Sequence, residues 1–447
     1  MVDFALSDEQ RMLQDTARAF ARDEIRPAAA RILKRPEGVT PWDLFRDTYA
    51  HACDLGFTRM LIPERYGGVG GSCLDNVIVM EEFGAADAGI AASYLAVSTT
   101  APIIIVKAGT EEQKRDWLAE ICASRDHVLA SASSEPNVAG ADSFSPDPNP
   151  AIGLRTTARL QGDHYVLNGT KAGFSTNAGA AKSYFIMART DPTRPAFEST
   201  SLFYVPANSP GLRVGKKTEL IGWKTAMHAE VYLDGVKVPV GHRIGAEGAN
   251  MGLFFMEVLP YLASGLAAAY VGLARAAFEY AFEYAHQRVS WGRPIVEHQA
   301  VALKLADMVA DLEAARLMVW KLAWAADRGD AEAAGMLSPA AKTFAVDVAI
   351  RNAERAMKIL GGYGVAADYD TGRLLNDAWV GDSCDGTHDL LRLAIVNFLR
   401  MMRAYGGAPG AGGPPPGIGG PPPGGPPGAG PGAGAHGGPP PAGPPPR

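Results

Sequence analysis

Residues 359–392 have the sequence ILGGYGVAADYDTGRLLNDAWVGDSCDGTHDLLR, and this stretch contains the two features that decide the interpretation of the chain. A Gly-Gly-Tyr-Gly turn at 361–364 closes an apolar helical run. Further along, a single carboxylate, Asp385, stands between Cys384 and Gly386, where the next helix is predicted to begin. An aspartate commonly caps a helix, and a carboxylate in an apolar pocket is also a candidate general base. The stretch alone leaves both roles of Asp385 open.

The composition is that of a globular protein with more than one domain. A length of 447 residues is enough for two or three domains, each with its own core. Hydrophobic residues make up 47% of the chain, and the mean hydropathy is -0.03. The net charge of -6 argues against a nucleic acid or an anionic membrane as the main partner. A phosphate-bearing ligand would therefore need a local basic patch.

Cysteine usage and the N-terminal residues point to the cytoplasm. The four cysteines are scattered without a Cys-x-x-Cys pair, so neither a metal site nor a disulfide framework is predicted. The cysteines are Cys53, Cys73, Cys122 and Cys384. The first residues lack a basic segment followed by an apolar segment, and no uncharged apolar run reaches membrane-spanning length. Export and membrane insertion are not expected.

Helix-start signals dominate the first part of the chain. A capping side chain is followed three residues later by an acceptor in four places, which is the pattern of a capping box. These pairs are Ser7 with Gln10, Thr40 with Asp43, Ser72 with Asp75, and Thr110 with Gln113. We predict a helical N-terminal domain over residues 1–127.

The pattern changes at Val128, where short segments are separated by turn dipeptides such as Gly162-Asp163 and Asn168-Gly169. Strands are predicted over 154–160, 165–167, 184–188, 202–205 and 231–233. Residues 128–245 are therefore predicted to form a small antiparallel β domain.

Longer helices are predicted after this, over 251–288, 298–328, 339–360 and 386–405. The first is rich in Ala, Gly and aromatic residues, which lets helices approach closely on more than one face. We predict a four-helix bundle over 246–405, so the fold class is α+β and mostly α. Residues 406–447 are rich in Gly and Pro and cannot bury enough apolar area to offset ordering, so a disordered tail is predicted there.

Six short motifs occur in one order along the chain, and each is weakly specific alone. They are Leu129-Ala130-Ser131-Ala132-Ser133-Ser134-Glu135-Pro136, Asn168-Gly169-Thr170-Lys171 leading to Phe174-Ser175-Thr176-Asn177, Val236-Lys237-Val238-Pro239, Arg288 with Trp291-Gly292-Arg293-Pro294-Ile295 and Gln299, Gly361-Gly362-Tyr363-Gly364, and Asp385-Gly386-Thr387. Together they resemble the acyl-CoA dehydrogenase family over residues 5–404.

The resemblance implies a homodimer or homotetramer with FAD between the middle domain and the C-terminal helices. At the flavin ring it implies hydrogen bonds from Ser134 and Thr176 and packing by Phe174, with Ser175 beside them.

The far end of the cofactor is expected to reach a neighbouring subunit. The residues implied there are Arg288, Trp291, Gln299 and Lys358, the last at the position of a usual glutamine. Gly361 and Gly362 would approach the cofactor closely because no Cβ intervenes. Thr387 and Asp389 would bind near the pyrophosphate, at a helix N-terminus with free N–H groups. From the residues alone, Arg288 either binds phosphate or caps its own helix.

The resemblance also implies a reaction. The carboxylate of Asp385 would take the α-proton of an acyl thioester, flavin N5 would take the β-hydride, and the backbone N–H of Asp385 would help to hold the thioester carbonyl. A free aspartate has a pKa of about 3.9, so burial in an apolar pocket must raise the pKa of this base when the substrate binds. The family usually has Glu here, and Asp is shorter by about 1.5 Å, which matters where about 1 Å decides the rate.

Departures from the family cluster on the substrate side. Pro260 and Ala263 replace an Asp and an Arg, and no second carboxylate appears at Leu262. Cys384 replaces an aromatic neighbour of the base and enlarges the predicted cavity. The substrate-binding residues implied are Ala141, Tyr261, Leu262, Cys384 and Gly386. We expect a bulky or cyclic acyl group, carried by CoA or by a carrier protein.

The leading prediction is an FAD-dependent acyl-thioester dehydrogenase with Asp385 as its base, and with an electron-transfer flavoprotein or a similar acceptor as partner. One alternative is a flavin monooxygenase of the same fold. Another is a non-catalytic subunit of a hetero-oligomeric dehydrogenase, which the changes at Pro260, Ala263 and Lys358 motivate.

Overall fold

The computed structural model describes residues 5–404 except 144 and 146, so the predicted disordered tail at 406–447 lies outside the described residues. Helices occupy the first part of the chain, a sheet follows, and long helices complete it. The predicted α+β fold, mostly α, is confirmed.

The N-terminal helices begin where the sequence predicts. All four predicted capping boxes are present, at Ser7, Thr40, Ser72 and Thr110, because a cap needs only contacts within one turn. The helices are α1 (Asp8–Phe20), α2 (Arg26–Leu33), α3 (Pro41–Asp54), α4 (Cys73–Ala86), α5 (Ala88–Tyr94), α6 (Ala101–Ala108), α7 (Glu111–Gln113) and α8 (Ala119–Ala123). The π-helical turns Ala21–Ile25, Leu95–Thr100 and Lys114–Leu118 continue them, and 3₁₀ turns lie at Phe57–Arg59 and Glu64–Tyr66.

Eight strands of the described chain form one sheet in the order β6-β7-β3-β2-β4-β5-β8, with β1 paired to β4. The strands are β1 (Leu129–Ala132), β2 (Thr157–Gln161), β3 (His164–Thr176), β4 (Ser183–Arg189), β5 (Thr200–Pro206), β6 (Leu212–Lys217), β7 (His228–Pro239) and β8 (Arg243–Ile244), with short helices α9 (Gly140–Ser143) and α10 (Ala196–Ser199) between them and a 3₁₀ turn at Val240–His242. Most pairs are antiparallel, but β1 and β2 each run parallel to β4, so the sheet is mixed and the purely antiparallel prediction is wrong.

The C-terminal part contains the predicted long helices and one more. The helices are α11 (Asn250–Leu253), α12 (Leu259–Gln287), α13 (Gln299–Asp327), α14 (Ala331–Leu360), α15 (Thr371–Ser383) and α16 (His388–Ala404), with the π-helical turn Phe254–Val258, 3₁₀ turns at Ile295–Glu297 and Gly361–Val365, and the hairpin of β9 (Val289–Ser290) and β10 (Arg293–Pro294). The prediction missed α15 and started α14 at Pro339, eight residues late. Pro339 lies inside α14, and the hydroxyl of Thr343 donates to its carbonyl at 2.9 Å.

Close packing of α12 against α4 explains its small residues. A Cβ added to Gly84 would lie 2.1 Å from the carbonyl oxygen of Ala269, and one added to Gly272 would lie 2.0 Å from that of Glu81. The predicted close approach of this helix is therefore observed, and it fixes α12 against the N-terminal helices.

Two helical stretches, Ala88–Ala108 and Asn250–Gln287, have the length and composition of membrane spans. The most apolar window of the first is 94% buried inside the protein, and that of the second is 56% buried. Packing against other elements accounts for the apolar composition of the first stretch.

Candidate active site

Asp385 lies in a left-handed turn between α15 and α16. The φ angles of Asp385 and Gly386 are 48° and 97°. Aspartate tolerates this region better than most residues, and glycine adopts it freely. A Cβ at position 386 would also lie 3.1 Å from Leu391. The local sequence Asp-Gly is thus suited to this turn.

The cap of α16 is Thr387 rather than Asp385. The hydroxyl oxygen of Thr387 accepts from the backbone N–H of Leu390 at 3.5 Å, and α16 begins at His388. The capping interpretation of Asp385 is therefore wrong, and its carboxylate is left for another role.

Asp385 borders a narrow crevice between α12, α14 and α16. Its walls are mostly aliphatic and include Leu262, Ala263, Leu266, Pro339 and Leu391, with Lys342 as the neighbouring cation. An apolar wall with one carboxylate and one cation is the setting in which a carboxylate becomes a useful base.

Burial raises the pKa of Asp385 above its usual value, and the positive charge of Lys342 opposes this rise. Asp385 as a whole is exposed to solvent, so the crevice wall desolvates its carboxylate from one side only. The predicted upward shift in the pKa of this group is therefore present before any substrate contacts it.

Cys384 and Tyr270 support the same turn. Burial raises the pKa of the Cys384 thiol to about 12, so this residue is a neutral thiol. The hydroxyl of Tyr270 donates to the carbonyl of Asp377 at 3.3 Å. A Cβ at Gly381 would lie 2.4 Å from the Tyr270 ring, so glycine is required where α15 crosses this ring.

The predicted flavin-side residues lie together on β3 and the preceding loop. The Oγ1 of Thr176 lies 3.3 Å from Nε2 of His228 on β7. Phe174 is 62% exposed, whereas Ser175 is buried and donates to the carbonyl of Ala172 at 3.1 Å. An exposed aromatic ring and a half-buried hydroxyl beside it are suited to contact a planar ligand.

Ser134 is exposed, and its carbonyl accepts from the backbone N–H of Ala172 at 2.8 Å. The loop that carries Ser134 is thereby joined to β3. Next to Ser134 in the sequence, Glu135 forms an ion pair of 2.9 Å with the fully buried Lys171. This ion pair holds β3 in place shortly before Phe174.

A second group of predicted residues lies at the ends of α12 and α14. The Arg288 guanidinium lies 5.6 Å from the ring centroid of Tyr363. Trp291 is 94% exposed and has a φ of 53°. Gln299 is exposed as the first residue of α13, and Lys358 is exposed near the end of α14. These residues form a surface of cations and aromatic rings suited to phosphate and a base.

The backbone at Gly361 and Gly362 indicates whether a ligand can approach this surface closely. Gly361 has a φ of 62° and a ψ of -128°, a conformation that essentially only glycine adopts. The φ angle of Gly362 is not in the left-handed region. Among the described residues, no protein atom lies within 4 Å of a Cβ built at position 361 or 362. Contacts within this chain therefore do not require glycine at 362, whereas close approach by a ligand would.

The remaining predicted residues lie at three separate places. Thr387 and Asp389 are exposed at the start of α16, and Ala141 is exposed on α9. Tyr261 packs on Lys107, whose Nζ lies 5.4 Å from its ring centroid. Of the predicted substrate residues, only Leu262 lines the crevice beside Asp385, together with Ala263 in the place of the family arginine.

Sequence reasoning missed Lys342 and His228. Lys342 is a single cation within the apolar run Ala340-Ala341-Lys342-Thr343-Phe344-Ala345, and such a break in a buried helical face is a signal that was available. His228 gave no such signal, because its proximity to Thr176 depends on the pairing of β3 with β7.

The three-part fold and this arrangement of residues define a flavin-dependent acyl-CoA dehydrogenase. Models of the acyl-CoA dehydrogenase N-terminal, middle and C-terminal domains match residues 7–125, 130–236 and 252–399, so the chain belongs to the acyl-CoA dehydrogenase family.

Several relatives match over nearly their whole length. An acyl-CoA dehydrogenase of Bacillus subtilis (strain 168) is 37% identical over 397 residues, which is 88% of this chain and 98% of the relative. The butyryl-CoA dehydrogenase of Megasphaera elsdenii superposes with a TM-score of 0.80 at 31% identity, covering 89% of this chain and 100% of the other. The prolyl acyl carrier protein oxidase AnaB gives 0.77 at 26% identity, covering 88% and 100%.

FAD is the cofactor of this enzyme class, and similar structures have been solved as FAD complexes. The glycines at 361 and 362, the exposed Phe174 and the cationic surface at Arg288 all fit a dinucleotide. The chain is thus an FAD-dependent oxidoreductase.

Proposed function

We propose that the protein catalyses α,β-dehydrogenation of an acyl thioester, with Asp385 as the base that takes the α-proton. The observation that carries this proposal is the placement of Asp385. Its carboxylate does not cap a helix, borders an apolar crevice, and has a raised pKa. These properties suit a base for a weakly acidic carbon–hydrogen bond.

The chain contributes binding, orientation and one proton acceptor. Asp385 accepts the proton at its carboxylate, and its backbone N–H is free to hold the thioester carbonyl because α16 begins only at His388. The aliphatic side chains of the crevice cover one side of Asp385 and limit the water that reaches the carboxylate there. When bound, FAD supplies the acceptor for the hydride.

We propose a bulky or cyclic acyl group as substrate. The small side chains of Ala263 and Cys384 stand where the family has an arginine and an aromatic ring, and Asp385 is a shorter base than Glu. A larger acyl group would occupy the space left by the first two changes.

The proposed substrate has two forms, an acyl group on CoA and an acyl group on a carrier protein. Loss of the family Asp and Arg at Pro260 and Ala263 removes groups that serve CoA, and the similarity to AnaB supports the carrier form.

The exposed surface around Trp291, Arg288 and Tyr363 supports the proposed assembly. Val289 and Val365 are also exposed there, at 57% and 76%. We propose that this surface meets the adenosine end of FAD held by a second copy of the chain, as part of a dimer or tetramer. An electron-transfer flavoprotein is the proposed acceptor, and the four free cysteines suit a reducing cytoplasm.

Anaerobic titration of the purified FAD-loaded protein tests the proposal. A panel of linear, branched, cyclic and aromatic acyl-CoAs is mixed with the enzyme, and bleaching of the visible flavin band is followed. We expect bleaching by at least one bulky or cyclic thioester. The same acyl groups on a carrier protein distinguish the two forms. Turnover that requires oxygen, with no anaerobic bleaching, would establish a monooxygenase instead, and failure to bind FAD would indicate a non-catalytic subunit.

A further inference from the structure

Lys342 is a buried cation on α14 whose two hydrogen bonds end on backbone carbonyls. Only 2% of its surface is exposed. Its Nζ donates to the carbonyl oxygens of Gly381 at 2.6 Å and of Gly386 at 2.9 Å. Burying an ammonium group is costly unless its charge and donors are satisfied. The fold therefore retains this lysine for a specific contact.

The two carbonyls lie on either side of Asp385 in the sequence. Gly381 is in the last turn of α15, where carbonyls lack partners within the helix. Gly386 directly follows Asp385, and both have positive φ angles. One ammonium group thus joins the last turn of α15 to the left-handed turn, across Cys384 and Asp385, which belong to no helix.

We propose that Lys342 is a positioning residue for the proposed reaction: its ammonium group holds the segment from Gly381 to Gly386 in the conformation that presents Asp385 to the substrate. The proposal rests on the proposed role of Asp385 as base. Lys342 itself donates to the backbone and does not exchange a proton with the substrate.

The charge of Lys342 has a second effect. Burial raises the pKa of Asp385, and the lysine limits this rise, so the carboxylate stays charged over a wider pH range. Other ionisable groups also surround the turn. Tyr270 faces it from α12, Lys342 and Asp347 from α14, Asp382 from α15, and His388 and Arg392 from α16.

Asp347 and Asp382 both contact His388, at 3.3 Å and 3.2 Å, and Arg392 contacts Asp347 at 2.8 Å. None of these three contacts involves the side chain of Lys342, but its charge also acts on Asp347 and Asp382. A change in the pH profile of the Lys342 variant would therefore report the loss of the ammonium charge beside Asp385 and these two carboxylates.

The test compares the wild-type holoenzyme with Lys342→Met, which keeps the length of the side chain and removes its donors and charge. Lys342→Gln retains one donor without charge and serves if the Met variant does not fold. Lys321→Met, an exposed lysine on α13, is the matched control. Each is loaded with FAD and reduced anaerobically by the thioester that reduces the wild type.

We expect Lys342→Met to bind FAD as the wild type does, and its limiting rate of flavin reduction to fall about a hundredfold, as for a misplaced reacting group. The acid limb of its pH profile should move to higher pH. The limiting rate of flavin reduction of Lys342→Gln should lie between those of Lys342→Met and the wild type. Rates and pH profiles like those of the wild type in both variants would overturn the proposal.

Hydrogen exchange at residues 381–387 separates this proposal from the proposed function. If no thioester reduces the wild-type flavin, the proposed function fails, while faster exchange in Lys342→Met would still show that the lysine holds the turn. Unchanged exchange would overturn the positioning role in that case too.

Discussion

The backbone N–H of Trp223 donates to Oδ1 of Asp377 at 2.7 Å, and this bond joins the sheet to the helix that leads to Asp385. Arg373 contacts Asp377 at 3.2 Å and Asp87 at 3.8 Å, and the hydroxyl of Thr225 donates to Asp87. Residues from the N-terminal helices, the sheet and the C-terminal helices therefore meet at one buried cluster. The position of the turn that carries Asp385 depends on all three.

This cluster predicts that Asp377→Ala is strongly destabilising. Asp377 is buried, and its removal leaves the N–H of Trp223 without its acceptor and takes away one of the carboxylates that surround Arg373. Leaving a buried donor unsatisfied costs about 1–3 kcal/mol. Urea unfolding of the holoenzyme should show this loss, with Asp234→Asn, at an exposed position within β7, as control. A change below about 1 kcal/mol would contradict the role assigned to the cluster.

Replacement of Asp385 by Asn should leave FAD binding intact and lower the anaerobic rate of flavin reduction by at least about a hundredfold, because an amide cannot accept the proton. Stopped-flow absorbance measures the rate, and the visible spectrum measures bound FAD. Asp368→Asn, an exposed aspartate between α14 and α15, is the control. A fully active Asp385→Asn enzyme would rule out Asp385 as the base.

The rate of flavin reduction should fall on the acid side of a pKa that lies above the ordinary aspartate value of 3.8. The active form is the carboxylate, and burial raises its pKa, so activity is lost as pH falls through the raised value. Rates measured in single turnover with saturating thioester give this profile. An acid limb at or below the ordinary value would show that the group is not buried when it acts.

His228 should make the protein sensitive to acid. Burial lowers its pKa to about 4, from an ordinary value of 6.5. The unfolded chain therefore binds a proton that the folded protein does not, and stability falls as pH drops from about 6.5 to about 4, by roughly 3 kcal/mol from this residue.

In His228→Gln, which can still bond to Thr176, urea unfolding between about pH 4 and pH 7 should show a weaker pH dependence than in the wild type. His286→Gln, at an exposed histidine on α12, should leave that dependence unchanged. Equal pH dependence in all three proteins would show that the pKa of His228 is the same in the folded and unfolded states, and would contradict its lowering by burial.

The parts of the fold that depend on local chemistry could be predicted from the sequence. The caps at Ser7 and Thr40 need only neighbours within one turn. The helix α15 was missed because Thr371-Gly372 at its start resembles a loop, and its stability comes from Asp377 and other contacts distant in sequence. Pro339 suggested a helix start, yet a full helical turn precedes it because α14 packs along α12.

The residues of the candidate site also fall into those that sequence motifs mark and those that only the fold brings together. Asp385 and the glycines at 361 and 362 were found because ordered motifs mark them. The contact of Lys342 with Gly381 and Gly386 spans about forty residues, and that of His228 with Thr176 spans about fifty, so neither spacing carries a signal in one sequence.

The left-handed backbone at Asp385 also limits how this enzyme can evolve or be redesigned. Exchange of Asp for the Glu usual in the family would lengthen the base and place a longer side chain in a conformation that favours short polar residues. At the next position, any residue but glycine would meet Leu391. Substitutions at Asp385, the proposed base, are therefore limited by the backbone of the turn, and substitutions at Gly386 by Leu391.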